Sequence, residues 1–188
     1  MMRIFLMGMK HCGKSSLGRR LADRLSLDFA DLDERAEDLF ARKTGRNLTV
    51  REIYRVEGKE AFQALEAEAM RDLCAERSED SDSSASARVV ALGGGTIENT
   101  DALRAMEGRG VKVFLDDDED TLFERIAASG IPPFLEGPDP KGAFHRLYES
   151  RVPLYRTRAD VSMDTRGLSQ EEALEKLEKT VRSLHGWQ

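Results

Sequence analysis

Cysteine is scarce in this chain: Cys12 and Cys74 are the only two in 188 residues. Two such isolated residues make neither a disulfide framework nor a cysteine-ligated metal centre. Long apolar runs are missing as well, and a membrane-spanning helix needs about 20 apolar residues in succession. The opening Met-Met-Arg-Ile-Phe-Leu-Met-Gly is too short in its apolar part for a secretory signal and is followed by no small-residue cleavage site. An excess of basic residues is also lacking. Lys and Arg number 29 against 35 Asp and Glu, a net charge of −6. Nucleic-acid binding ordinarily requires a basic face, so no nucleic-acid partner is expected. Together these absences predict a cytoplasmic protein in a reducing compartment, with no membrane partner.

What remains is an ordinary globular composition, 40% hydrophobic and 34% charged, at a length that suits one α/β domain over residues 1–188. Arg3–Met7 is a short apolar run stopped by Gly8 and reads as a buried strand. Leu17, Leu21 and Leu25 then recur every fourth residue, which predicts a helix over Lys14–Leu25. Further strands are predicted at Phe29–Leu32, Val89–Leu92, Lys112–Leu115 and Val161–Met163, with helical patterns between them. Among those, 34–44 and 49–77 look helical, the latter weakened at Gly58. Ser169 and Glu172 form a capping box before a last helix that turns Leu174, Leu177, Val181 and Leu184 inward. The polar stretch 78–86 is expected to be a mobile surface connector. Strand–helix alternation of this kind implies a parallel sheet covered on both faces.

The strongest motif is Gly8-Met9-Lys10-His11-Cys12-Gly13-Lys14-Ser15. It fits G-x-x-x-x-G-K-[ST] and lies between a predicted strand and a predicted helix, where the mechanism needs it. Its glycines let backbone N–H groups turn inward around phosphates, and the helix N-terminus adds positive potential. In this reading Gly8–Ser15 and Ser16 bind ATP, Lys14 reaches the β- and γ-phosphates, and Ser15 ligates Mg²⁺. His11 has two readings, a catalytic group or a solvent-facing loop residue. Cys12 also has two: a thiol activated by an electropositive loop, or a small filler.

The predicted second strand ends in Asp31-Leu32-Asp33. Alternate strand positions point the same way, so both carboxylates are expected to face the crevice at the carboxyl end of the sheet. One can serve Mg²⁺ and the other can accept or orient a substrate hydroxyl proton. The competing reading is a solvated acidic turn. Gly93-Gly94-Gly95, after the third strand, permits close backbone approach to a ligand.

Taken in order, these motifs resemble shikimate kinase over roughly residues 3–165. The resemblance is carried by the phosphate loop with Ser16-Leu17-Gly18-Arg19, by Asp31-Leu32-Asp33, by Gly58 and Phe62, by Ala91-Leu92-Gly93-Gly94-Gly95, and by Arg125. Arg151-Val152-Pro153-Leu154-Tyr155 and Ala159–Thr165 complete it. It implies a P-loop kinase fold, a five-stranded parallel sheet in the order 2-3-1-4-5, with a substrate-binding flap at about 34–65 and a lid at about 127–142. It also implies ATP-dependent phosphorylation of shikimate at its 3-hydroxyl by a monomer. Lys14, Asp33 and Asp31 would be catalytic, with Ser15 and Asp31 holding Mg²⁺. Asp33, Gly94, Gly95 and Arg151 would bind substrate, and Arg125 would stack on adenine; a plain surface charge is the rival reading of Arg125.

The chain departs from the family pattern twice. Gly-Glu-x-x-Phe-Arg becomes Gly58-Lys59-Glu60-Ala61-Phe62-Gln63, and the lid's Arg-Pro-Leu-Leu becomes Pro132-Pro133-Phe134-Leu135. A hydrogen bond to a charged group contributes about 1.5–3 kcal/mol, so the arginine missing at Gln63 corresponds to roughly 10- to 150-fold in substrate binding. A phosphate-clamping arginine, missing at Pro132, can be worth about 10³–10⁵ in rate. Lys59, one turn before Gln63, and Lys10, in the loop, are candidate substitutes on the acceptor side. Two other functions therefore stay open: a kinase for another polyol or hydroxy acid, and a nucleotide-binding regulator without turnover.

Overall fold

A computed structural model describes residues 3–76 and 87–185. The polar stretch expected at 78–86 lies outside the described residues. The central strand β1, Arg3–Met7, is buried at all five positions. Successive side chains of a strand point to opposite faces, so full burial means that both faces are covered. Around it stand β2 (Asp28–Asp31), β3 (Arg88–Ala91), β4 (Gly110–Asp116) and β5 (Val161–Asp164). The order is β2-β3-β1-β4-β5 and every pairing is parallel.

Seven α-helices lie among the described residues: α1 (Lys14–Leu25), α2 (Leu32–Thr44), α3 (Val50–Ala75), α4 (Thr100–Met106), α5 (Glu119–Ala128), α6 (Pro140–Arg158) and α7 (Gln170–His185). Their ends follow local chemistry. Thr49 and Glu52 cap α3 reciprocally, and Ser169 and Glu172 do the same ahead of α7. Gly58 takes φ 85° and kinks α3 into two halves, across which Tyr54 meets Phe62 edge-on at 5.9 Å. Phe5, Leu6, Val89, Val90, Val113 and Phe114 form the centre of the core. No helix among the described residues is long and apolar enough to cross a membrane.

The strand register is what positions the site. Leu6 pairs with Ala91 and Asp31 also pairs with Ala91, so β1, β3 and β2 end side by side. The loops that leave β1 and β3 at Gly8 and Leu92, and the first turn of α2 at Leu32, must therefore lie along one edge. The chain leaves β1 toward β2 and leaves the adjacent β3 toward β4, so the connections of these two neighbours run in opposite directions. In open parallel sheets that switch point is where a ligand crevice forms.

Candidate active site

Gly8–Gly13 joins β1 to α1 as a compact loop. Gly8 has φ 149°, and a Cβ there would lie 2.8 Å from the Cys12 sulfur and 2.9 Å from the Leu115 carbonyl oxygen, so only glycine fits. Lys14 is buried and folds back over the loop, donating from Nζ to the carbonyl oxygens of Gly8 and Met9 at 2.9 Å each. Cys12 is buried, and burial pushes its thiol up despite the nearby Lys14 charge. It is therefore a filler beneath the loop, not an activated thiol. His11 takes φ 64°, and its buried Nε2 has no partner among the described residues. Burial first, and then the charges of Lys10 and Lys14, hold its imidazole below the usual range.

The acidic pair is built differently from the expectation. β2 stops at Asp31, one residue before the predicted end at Leu32. The Asp31 carboxylate accepts the Asp33 N–H at 3.0 Å, which caps α2 and places Asp33 in the first helical turn. The two carboxylates converge through this cap, not through alternation along one strand. The other oxygen of Asp31 accepts from the Ser15 hydroxyl at 2.5 Å. A hydroxyl and a carboxylate side by side offer hard oxygen donors. No cluster of three or more acidic, His or Cys side chains accompanies them among the described residues. That sparse set fits Mg²⁺, which keeps waters and substrate phosphates in its shell and needs no protein cage. Asp33 is half-buried, and its carboxyl is pushed up to about 6 by burial first and then by the Asp31 and Glu66 charges, against Lys14 and Lys10.

The three glycines after β3 run past two functional side chains and the phosphate-loop backbone. A Cβ on Gly93 would lie 2.6 Å from Asp33 Oδ1, on Gly94 3.4 Å from the Lys10 backbone nitrogen, and on Gly95 3.6 Å from Arg151 Nη2. Any side chain at Gly93 would displace the Asp33 carboxylate. Arg151, in α6, is paired with Glu98 at 2.8 Å, and its buried Nε has no partner among the described residues. Tyr155, one turn further along α6, donates to the Gly94 carbonyl at 2.5 Å. Beneath the glycines lies a network that the sequence reading missed. Buried Glu66 accepts from Thr96 Oγ1 at 2.6 Å and from Asn99 Nδ2 at 2.7 Å, and Asn99 also bonds the Gln63 carbonyl. A charged residue between buried Leu65 and Ala67 on a helix is the sequence signal that could have revealed it.

On the other side of the loop a cavity of about 160 Å³ is lined by His11, Gly13, Ser16, Asp117, Arg125 and Thr165, among others. Arg125 is not a free surface charge. Its Nη1 reaches the buried Asp117 carboxylate at 2.6 Å and the His11 carbonyl at 3.2 Å. A larger cavity, about 310 Å³ between α2 and α3, shares no residue with this one or with the glycine run. Of the candidate substitutes, Lys59 is exposed and has no ion pair among the described residues, whereas Lys10 is half-buried beside Gly94. Gln63 is half-buried. Pro132 is buried, its carbonyl accepting from Leu135 N–H in a 3-10 turn, so no cation stands at that position.

The family model for shikimate kinase matches residues 10–182, which include most of the phosphate loop, the acidic pair, the glycine run and Arg151. The chain belongs to the shikimate kinase family. It is 34% identical to the shikimate kinase of Symbiobacterium thermophilum over 184 residues, covering 95% of this chain and 97% of that one. Identity to the Xylella fastidiosa shikimate kinase is 33% over 174 residues, covering 93% and 88%. Among solved structures, the shikimate kinase of Acinetobacter baumannii in complex with shikimate superposes with TM-score 0.81 at 26% identity, covering 98% of this chain and 95% of that one. The shikimate kinase of Aquifex aeolicus gives 0.70 at 26% over both full lengths. A gluconokinase from Sinorhizobium meliloti, at 20% identity and TM-score 0.53, shares the fold only. Within the shikimate kinase family, a phosphotransferase family acting on a hydroxyl group, the chain carries Gln63 and Pro132 at two positions where the pattern has arginine.

Proposed function

We propose that this chain transfers the γ-phosphoryl group of ATP to the 3-hydroxyl of shikimate, giving shikimate 3-phosphate and ADP. The observation that carries this reading is the glycine run, which lines up a proton acceptor (Asp33) and a carboxylate-binding fork (Arg151) on either side of the phosphate-loop backbone at Lys10. Arg151 offers a planar donor pair suited to a carboxylate, and its orphaned Nε supports an anion there. Asp33, at about 6, is ionised at neutral pH yet holds a proton far better than an ordinary aspartate, which suits a general base for an alcohol. Lys14 would move from the Gly8 and Met9 carbonyls to the phosphates. Ser15 and Asp31 would hold Mg²⁺, which neutralises phosphate charge when bound. The cavity between Arg125 and Gly13 suits the nucleotide base.

In this reading residues 34–65 form the substrate-binding flap and 127–142 the lid. A reducing cytoplasmic setting fits two free, buried cysteines. The test is ADP release with a panel of acceptors, shikimate first. Stimulation by shikimate is expected. Stimulation by another polyol or hydroxy acid alone moves the acceptor elsewhere, the reading that Gln63 favours. ATP binding without stimulation by any acceptor overturns the kinase.

A further inference from the structure

The acceptor side of the site is one arginine short, because Gln63 cannot fork a carboxylate. We propose that Arg51, together with Lys10, supplies that missing half of the carboxylate site, making Arg51 a specificity-determining residue. The inference rests on the acceptor being shikimate or a similar carboxylic acid.

Two lines of geometry bring Arg51 to the cleft. The first runs through α2. Glu37 lies one turn after Asp33 on the same helical face, where side chains four residues apart are neighbours. Glu37 accepts the Val50 N–H at 2.8 Å, which pins the first turn of α3 one helical turn from Asp33. Arg51 is the next residue. The second line runs through α3. Arg51 and Tyr54 are three residues apart and share a face. Tyr54 packs edge-on against Phe62 across the Gly58 kink, and Gln63 follows Phe62. The kink thus folds the Arg51 face back toward the segment where the arginine is missing.

The electrostatics agree with that placement. Arg51 is exposed and Lys10 half-buried, and neither has a side-chain hydrogen bond or an ion pair among the described residues. Burial first, and Arg51 next, hold the Lys10 ammonium below its usual range, and Arg51 also helps hold His11 down. Arg51 and Lys10 therefore lie close enough to repel, with no ion pair at either among the described residues and Asp33 the nearby opposite charge to Lys10. Such an arrangement is unfavourable by itself and is relieved by an anion between them. The Lys10 backbone runs past Gly94 and the Arg151 guanidinium lies against Gly95, so the loop that carries Lys10 and the Arg151 fork both border the glycine run. A fork at Arg51 can make the paired hydrogen bonds that a lysine cannot.

The test compares wild type, Arg51→Ala and Arg51→Ala/Gln63→Arg in steady-state kinetics, with shikimate, shikimate methyl ester and ATP varied in turn. Removing one charged hydrogen-bonding partner should raise KM for shikimate about 10- to 100-fold in Arg51→Ala. KM for ATP should stay within about twofold, and KM for the ester should change little, since the ester carries no charge to bind. The added arginine should recover most of the loss. Circular dichroism checks the fold, which an exposed position should leave intact. Turnover of shikimate by wild type with an unchanged KM in Arg51→Ala overturns the inference while leaving the acceptor assignment standing. Wild type inert toward shikimate overturns both.

Discussion

Replacing Asp33 by asparagine should make this protein inactive and more stable at once. The fold raises the Asp33 carboxyl from 3.8 to about 6, through burial and then the Asp31 and Glu66 charges. Between those values the folded protein keeps a proton that the unfolded chain has released. Stability therefore falls as pH rises through this window, and the full penalty is present above about 6. At about 1.4 kcal/mol for each tenfold in proton affinity, the raised Asp33 carboxyl costs the fold about 3 kcal/mol at pH 8, where it is ionised, and about 1 kcal/mol at pH 4.5, where it still holds its proton. Asparagine has the same shape and no charge to bury. Urea unfolding of both proteins without ligand, at the two pH values, reads the difference directly. The variant should be the more stable, by a margin about 2 kcal/mol larger at pH 8. Its melting temperature at pH 8 should rise by about 6–12 °C for a chain of this size. ADP release should fall at least about 100-fold, the usual contribution of a positioned base. A margin independent of pH, or a variant less stable at pH 8, would refute the claim that Asp33 is held charged against its surroundings. Full turnover in a stabilised variant would remove Asp33 from the proton transfer.

Lys14→Ala should abolish phosphoryl transfer while circular dichroism stays native, because Lys14 contacts loop carbonyls and the ligand space; unchanged turnover contradicts the assignment of the loop. Asp117→Asn should raise KM for ATP roughly fivefold, about 1 kcal/mol, by freeing Arg125 from its 2.6 Å partner. An equal rise in KM for shikimate would instead indicate general disruption. Gln63→Arg should lower KM for shikimate by at most about 10- to 150-fold, and by less if Arg51 and Lys10 already bind the carboxylate. A higher KM for shikimate, with efficient turnover of another acceptor by wild type, would make Gln63 a specificity device.

Much of this architecture was written locally. β1 and α1 have the predicted limits, because Gly8 and Gly13 punctuate a run of apolar residues and the Leu17–Leu21 spacing fixes the helical face. The last helix, α7, likewise starts behind the capping box expected for it. The phosphate loop was legible for that reason: its residues are consecutive, and their job follows from the turn they make. Asp31 and Asp33 were also visible as a pair, although the reason they converge was not. Alternation assumes that the strand continues, and a side chain that accepts its own downstream N–H ends it.

By itself the sequence determined the order of strands and helices, the phosphate loop and the identity of the acidic and glycine motifs, since each depends on neighbours a few residues away. Only the tertiary structure decided which distant groups meet. Gly93, Gly94 and Gly95 read as a place of close backbone approach, but only parallel register set Asp33, the Lys10 backbone and Arg151 against them. Burial of Cys12 overrode the lysine beside it, and Arg125 became a tethered group through a carboxylate eight residues earlier. Arg51 had no motif to mark it. Its relevance comes from the Gly58 kink and the Glu37 anchor, which turn one exposed side chain of α3 toward a cleft built from other parts of the chain. Desolvation and charge proximity depend on distance in space, and sequence separation carries almost none of that information.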